Sequence, residues 1–257
     1  MDAYRSLSLS GRVAIVTGGG RGIGKAICQA LAARGALPVV VDLVAESAEQ
    51  TASELSGPGG KALWFQADVT DHQRAQLVAA EVAERAGRLD ILVNNAGISQ
   101  PIPFLELSEA IWDRTIAIHL KGAFNWSQAA LPYMLRGQWG RIVSISSMVG
   151  KQGGAYPAVS KTSYAAAKAG LLGFTRGLAL EAAPHVTVNA ICPGVIDTGM
   201  AGPVTSGENR QRTLGLIPLA RLGQPADIAN VVAFLASEAA GYVTGEEIDV
   251  NGGVYLD

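Results

Sequence analysis

Charged, aromatic and sulfur-bearing residues are few in this sequence, and each shortage removes a class of function. Charged residues make up 16% of the chain, and 20 Lys and Arg nearly cancel 22 Asp and Glu. The net charge of -2 provides no basic field for nucleic acid. There are 2 cysteines, Cys28 and Cys192. They fall in an expected helix and strand, and read as small core residues in a reducing compartment rather than as a disulfide. The 3 histidines, His72, His119 and His185, show no ligand spacing, so no metal is expected. Ser147 lacks the G-x-S-x-G elbow of a serine hydrolase. No apolar run approaches a membrane span, and residues 1–10 lack the apolar core of a signal peptide. The expectation is a cytoplasmic protein acting on a small molecule, with neither nucleic acid nor membrane as partner.

What remains is 49% apolar and rich in glycine, in 257 residues without a linker, a repeat or a low-complexity tract. That composition suits one large α/β domain with a sizeable core. Apolar runs read as strands over residues 13–16, 37–41, 63–67, 91–93, 141–145, 186–191 and 248–250. Helical patterns fill residues 46–55, 72–86, 108–134, 163–182 and 225–235, with Asp71 placed to cap the second of these. Ser56-Gly57-Pro58-Gly59-Gly60 ends the first, and Pro193-Gly194 breaks the sixth strand. Strand and helix alternate throughout, which predicts a doubly wound, mostly parallel sheet covered on both faces.

Residues 17–24 read T-G-G-G-R-G-I-G, between the first strand and a helix that shows apolar periodicity at Ile23, Ile27, Ala30 and Leu31. A strand, a glycine turn and a helix aim free N–H groups and a helix dipole at a phosphate. Gly18 permits the turn, Gly22 close approach of a pyrophosphate, and Gly24 close packing of the helix. Asp42 follows Gly24 by 18 positions. That is near the ~20-residue offset at which a carboxylate meets the ribose 2′-OH of NAD. A carboxylate there repels the 2′-phosphate of NADP, whereas Arg21 could pair with one. Asp42 lies where the ribose should be, so NAD is expected over NADP.

Tyr164 and Lys168 stand at i and i+4 on one expected helix, so phenol and ammonium share a face. A nearby cation favours the phenolate and brings a poor base towards the working range. The neighbouring alanines and Gly170 would leave room for a ligand.

Taken together, T-G-G-G-R-G-I-G, Asn94-Asn95-Ala96-Gly97, Ser147, Tyr164 with Lys168, and Pro193-Gly194-Val195-Ile196-Asp197-Thr198 resemble the short-chain dehydrogenase/reductase family in order and approximate spacing. The likeness runs from about Leu9 to Asn251-Gly252-Gly253. It implies a single Rossmann-type domain over residues 1–257, with about seven strands. Tyr164 would be the acid/base at the substrate oxygen, Lys168 would lower its pKa and bind the nicotinamide ribose, and Ser147 would hydrogen-bond the same oxygen. Gly18, Arg21, Gly22, Ile23 and Gly24 would bind the cofactor with Asp42. Asp68 and Val69 would contact adenine, and Asn95, Ala96 and Gly97 would line the groove. Pro193 and Gly194 would follow, with Ile196 and Thr198 on the carboxamide.

Three departures stand out. His119 occupies the place of the family's usual Asn in the relay that holds a water, in the run His119-Leu120-Lys121-Gly122. The gap from Ser147 to Tyr164 is longer than usual, which leaves Ser146 as a competitor and enlarges residues 151–162. Tyr156 is a decoy, because Ser160 and not Lys stands four residues on. Asn251 stands where the family often has Asp. A substrate lid is expected over residues 199–216, as a mobile loop. The pocket would mix Gln152 and Tyr156 with Met148 and Met200. The resulting expectation is an NAD-dependent oxidoreductase that interconverts a secondary alcohol and a ketone, on a polyol, sugar or hydroxy acid. The rival substrate is a 3-oxoacyl thioester, whose reductases in this family usually use NADPH. An NAD-binding sensor is the non-enzyme alternative. The family resemblance also implies a homotetramer or homodimer.

Overall fold

The computed structural model describes residues 6–56, 62–99, 101–153, 162–198 and 206–256. Seven parallel strands form one sheet: β1 (Val13–Thr17), β2 (Leu37–Asp42), β3 (Leu63–Gln66), β4 (Ile91–Asn94), β5 (Gly140–Ile145), β6 (Val186–Pro193) and β7 (Glu247–Val250). Their order is β3-β2-β1-β4-β5-β6-β7. The chain winds outward in one direction from β1, then returns and winds out in the other from β4. The crevice between β1 and β4 is therefore the topological switch point, where ligands of open parallel sheets bind.

Alternation along the central strands produces two cores. Ala14, Val16, Ile91, Val93, Val143 and Ile145 point to one face. There they meet α1 (Gly22–Ala32) and α9 (Pro225–Leu235), which also pack on each other. Val13, Ile15, Leu92, Ile142 and Val188 point to the other face. They are covered by α3 (His72–Ala86), α5 (Gly122–Arg136) and α7 (Thr162–Ala182). Trp126 of α5 is fully buried in this second core. Removing such a side chain costs about 3–5 kcal/mol, because the surroundings collapse only partly into the space it leaves.

Several helix boundaries follow from their caps. Asp71 Oδ1 accepts from the Arg74 N–H at 2.9 Å, and Gly87 takes the left-handed conformation that ends α3. Gln224 and Asp227 form a capping box at the start of α9, where Pro225 occupies the first turn. α2 (Ala45–Leu55) matches the expected helix within a residue.

Two expectations need correction. The sixth strand does not stop at Ile191. It continues through Pro193, because β7 lies beside it and pairs Pro193 with Val250. Residues 207–215 of the expected mobile loop form a helix, α8 (Gly207–Gly215). Of the residues that suggested a loop, Ser206 and Gly207 stand at its N-terminal end, and the polar stretch that follows is helical. Residues 199–205 of that segment, Met200 among them, lie outside the described residues, as do residues 154–161 with Tyr156 and Ser160. The Gly57-Pro58-Gly59-Gly60 stop also lies outside them.

The helical stretch expected over residues 108–134 is present but interrupted. α4 (Glu109–Ile116) passes through a π-helical turn, Ala117–Lys121, into α5. Extra residues inserted in a helix re-aim one side chain, and such turns are frequent at functional sites. Here the turn carries His119. Among the described residues no helix is long and apolar enough to cross a membrane.

Candidate active site

The glycine loop is built from the end of β1. Gly18 and Gly22 have φ of +63° and +54°, which a side chain would strain. A Cβ on Gly24 would fall 2.0 Å from the Gly18 carbonyl oxygen, so α1 starts pressed against its own loop. Asn95 ties this loop to β4. Its Nδ2 donates to the carbonyls of Thr17 and Gly18, both at 3.0 Å. Thr17 Oγ1 accepts the N–H groups of Asn95 and Ala96 at 3.1 and 3.2 Å. Arg21, exposed, is the N-cap of α1, and half-buried Ile23 packs against the first core.

Asp42 ends β2 beside this loop. Its Oδ2 accepts from the Gly20 N–H at 3.0 Å and its Oδ1 from the Val44 N–H at 3.1 Å. The carboxylate is thus fixed by two backbone donors. Asp68 is exposed after β3, and its Oδ1 is held by the Thr70 N–H and hydroxyl at 2.9 and 2.8 Å. Val69 lies under Gly122 of α5. On the far side, a Cβ on Gly22 would lie 3.8 Å from the Thr198 methyl. Gly194 passes close against the Asn251 backbone and donates to the Val250 carbonyl at 3.0 Å. The side chain of Ile196 is buried in the first core, so contact with a carboxamide would fall to its main chain.

At the ends of β5 and along α7 stands the second cluster. Ser147 caps the short helix α6 (Met148–Gln152), its Oγ accepting from the Val149 N–H at 3.2 Å. Its second lone pair and its hydrogen remain for the site, and Ser147 hydrogen-bonds the Tyr164 phenol. Ser146 is spent elsewhere: its Oγ donates to the Lys168 carbonyl at 2.9 Å. The geometry therefore favours Ser147 of the two serines. Lys168 Nζ donates to the Ile145 carbonyl at 2.6 Å and lies 5.6 Å from the centroid of the Tyr164 ring.

The electrostatics differ from the sequence expectation. Burial pushes the Tyr164 phenol above its ordinary value, and the Ser147 hydrogen bond opposes this. Burial also pushes the Lys168 ammonium down to about 8. In the unliganded protein Tyr164, half-buried by surface area, is a protonated acid. Gly170 leaves no room for a ligand: a Cβ there would meet Leu120 at 2.9 Å.

His119 joins this cluster. Its ring meets Tyr164 edge-on, with centroids 5.1 Å apart. Nε2 lies 2.9 Å from the Ile98 carbonyl, and Gly97 packs flat on the ring edge. Burial, with Lys168 nearby, pushes the imidazole down to about 3, so it is neutral at working pH. Nδ1 is buried and finds no partner among the described residues, and the same holds for Asn94 Oδ1. Both residues line a void of about 10 Å³ with Thr17, Ile145 and Lys168. That is room for about one water among polar groups.

Sequence reasoning named Thr17 and Asn94 within motifs without giving them a role, and it missed the Ile98 and Ile145 carbonyls. Thr17 was findable, as a hydroxyl at the strand end that opens the glycine loop. Main-chain carbonyls leave no mark in a sequence. Among the described residues no group of three His, Cys, Asp or Glu could hold a metal ion.

Comparison with known proteins agrees with this geometry. The family described as enoyl-(acyl carrier protein) reductase matches residues 18–255. The 3-oxoacyl-(acyl-carrier-protein) reductase FabG of Aquifex aeolicus is 41% identical over 251 residues, covering 97% of this chain and 99% of that protein. Its namesake in Escherichia coli K12 is also 41% identical, over 97% of this chain and 100% of its own length. Among solved structures, a 7α-hydroxysteroid dehydrogenase complexed with NADH and 7-oxo glycochenodeoxycholic acid superposes with a TM-score of 0.92. It is 37% identical, over 98% of both chains. A short-chain dehydrogenase/reductase from Brucella melitensis, titled glucose/ribitol dehydrogenase, is 38% identical with a TM-score of 0.88, over 96% of this chain and 98% of its own. The chain belongs to the short-chain dehydrogenase/reductase family. It is an oxidoreductase of that family, acting on CH–OH groups with a nicotinamide cofactor.

Proposed function

We propose that the protein reduces the 3-oxo group of acyl thioesters to the 3-hydroxy group, with NADH as the preferred reductant. Its likeness to 3-oxoacyl-(acyl-carrier-protein) reductases over nearly its whole length carries the substrate class. That likeness favours the thioester over the polyol, sugar or hydroxy acid expected from sequence alone. The fixed Asp42 carboxylate at the end of β2 supports NADH, because a 2′-phosphate there would meet a negative charge. The dehydrogenase solved with NADH on this same fold agrees with that choice.

The residues fit a nicotinamide dinucleotide. Gly18, Arg21, Gly22, Ile23 and Gly24 would hold its pyrophosphate at the start of α1, where glycine conformations keep side chains away. Asp42 would take the ribose, and Asp68 and Val69 would face adenine. Asn95, Ala96 and Gly97 would wall the groove, with Pro193, Gly194, Ile196 and Thr198 along the carboxamide end. The bound cofactor supplies the hydride that goes to the carbonyl carbon.

The chain's own groups handle the oxygen and its proton. Tyr164, whose pKa lies above its ordinary value through desolvation, gives its phenolic proton to the substrate oxygen as negative charge develops. Ser147 donates a hydrogen bond to the same oxygen. Lys168, bonded to the Ile145 carbonyl, stabilises the phenolate left behind and holds the ribose. His119, through Nδ1, and Asn94, through Oδ1, hold one water beside Lys168, through which Tyr164 recovers a proton. Residues 199–216 would close over the substrate, and the active form would be a homotetramer or homodimer.

The test is nicotinamide absorbance with the acetoacetyl thioester of N-acetylcysteamine, using NADH and NADPH in parallel. Thioester reduction with NADH preferred is the expected result. Oxidation of polyols, sugars or hydroxy acids with NAD, and no thioester reduction, would instead support the second reading, which Asp42 equally favours. NAD binding with no turnover of any substrate would support the sensor.

A further inference from the structure

The cluster beneath Ser147 has no part in the mechanism above, yet it fixes where that hydroxyl stands. α6 begins at Ser147 and is 5 residues long, too short to hold itself in place. One side of it presses on α7. A Cβ on Gly150 would lie 2.8 Å from the Lys168 carbonyl carbon and 3.0 Å from the Ala169 nitrogen. The opposite side is pinned to the last strand. Lys151 Nζ lies 2.8 Å from Asp249 Oδ2 and donates to the Glu247 carbonyl at 3.3 Å. Both side chains are largely withdrawn from water, at 8% and 18% exposure. Cys192 stands opposite Asp249 across β6 and β7.

We infer that Lys151 and Asp249 are positioning residues, which tie the Ser147 hydroxyl to the β6–β7 edge of the sheet and so hold it on the substrate oxygen. This rests on the role proposed for Ser147. A buried ammonium and carboxylate in contact give a rigid link, because separating them strands a charge out of water. Neither side chain reaches the reacting atoms. Their effect on Ser147 would pass through the main chain of α6. If the link loosens, α6 can slide along α7, and the hydroxyl moves relative to Tyr164. A misplacement of about 1 Å in such a group can cost 10²-fold in rate.

The experiment is a double-mutant cycle on the full chain, with the substrate that the wild type turns over. Asp249→Asn is made alone and in a Ser147→Ala background, and kcat, KM for the nicotinamide cofactor and Tm are measured for each. Ser147→Ala alone is expected to lose about 10²–10³-fold in kcat. The inference expects Asp249→Asn to lower kcat about tenfold, with cofactor KM within about twofold, and to lower it no further once Ser147 is gone. An equal loss in both backgrounds, or no loss in the wild-type background, would overturn it. If Asp249→Asn does not fold, the neutral pair Lys151→Met/Asp249→Asn replaces it, since it strands no charge, and the same two outcomes apply. Full activity in Ser147→Ala would remove the role of Ser147 itself, a failure of the mechanism that this cycle separates from additive losses.

Discussion

The imidazole of His119 meets the ring of Tyr164 edge-on, at 86° between planes and 5.1 Å between centroids. The contact places a neutral acceptor beside the proton donor. Burial lowers the His119 pKa from 6.5 to about 3. An unfolded chain takes up a proton at His119 as pH falls below about 6.5, while the folded chain does not until about 3. Across that window this group's contribution to stability is lost as pH falls. His119→Asn should therefore narrow the difference in urea midpoint between pH 7 and pH 4 relative to wild type. An unchanged difference would mean that His119 takes up its proton at the same pH in the folded and the unfolded chain.

Lys168 offers a second pH signature. Burial brings its pKa down to about 8, so the free protein carries an amine above that pH. The proposed mechanism uses the ammonium. The value of kcat/KM for NADH, which reports the free enzyme, should fall as pH rises through about 8. Lys168→Met should abolish that limb along with most activity. A profile flat to pH 10 would contradict the assignment.

Gly97 and His119 should behave as a pair. A Cβ on Gly97 would lie 2.5 Å from His119 Cε1. Gly97→Ala is expected to cost about 1–3 kcal/mol in chemical denaturation. His119→Ala in the same chain removes the clash, so the two changes should cost less together than their sum.

Asp42→Ala removes the charge beside the ribose and frees the Gly20 and Val44 N–H groups. Its expected effect is a lower ratio of kcat/KM for NADH over NADPH, by about tenfold or more. A wild type that already prefers NADPH would show that Arg21 outweighs Asp42.

Most of the framework was legible in residue pattern. The strand runs, the Asp71 cap and the Pro225 start are local signals, written in side chains. The glycine loop was legible because φ above zero and close approach both demand glycine. Four things were not. The π turn at His119 leaves helical periodicity nearly intact. The helix over residues 207–215 lies between glycines and shows little apolar periodicity. The pKa directions depend on burial: Tyr164 and Lys168 share a helix face as expected, but removal from water is the largest cause of each shift. The Lys151–Asp249 link joins residues 98 apart, and no short-range pattern signals it.

The most direct measurement is the single-turnover rate of Tyr164→Phe with NADH bound beforehand, using the substrate that the wild type turns over. NADH should bind with near wild-type affinity, and hydride transfer should slow by about 10²–10⁴-fold, the usual share of a general acid. A rate within a few-fold of wild type would show that the proton comes from another group, and that the cluster of Ser147, Tyr164, Lys168 and His119 is not where the chemistry occurs.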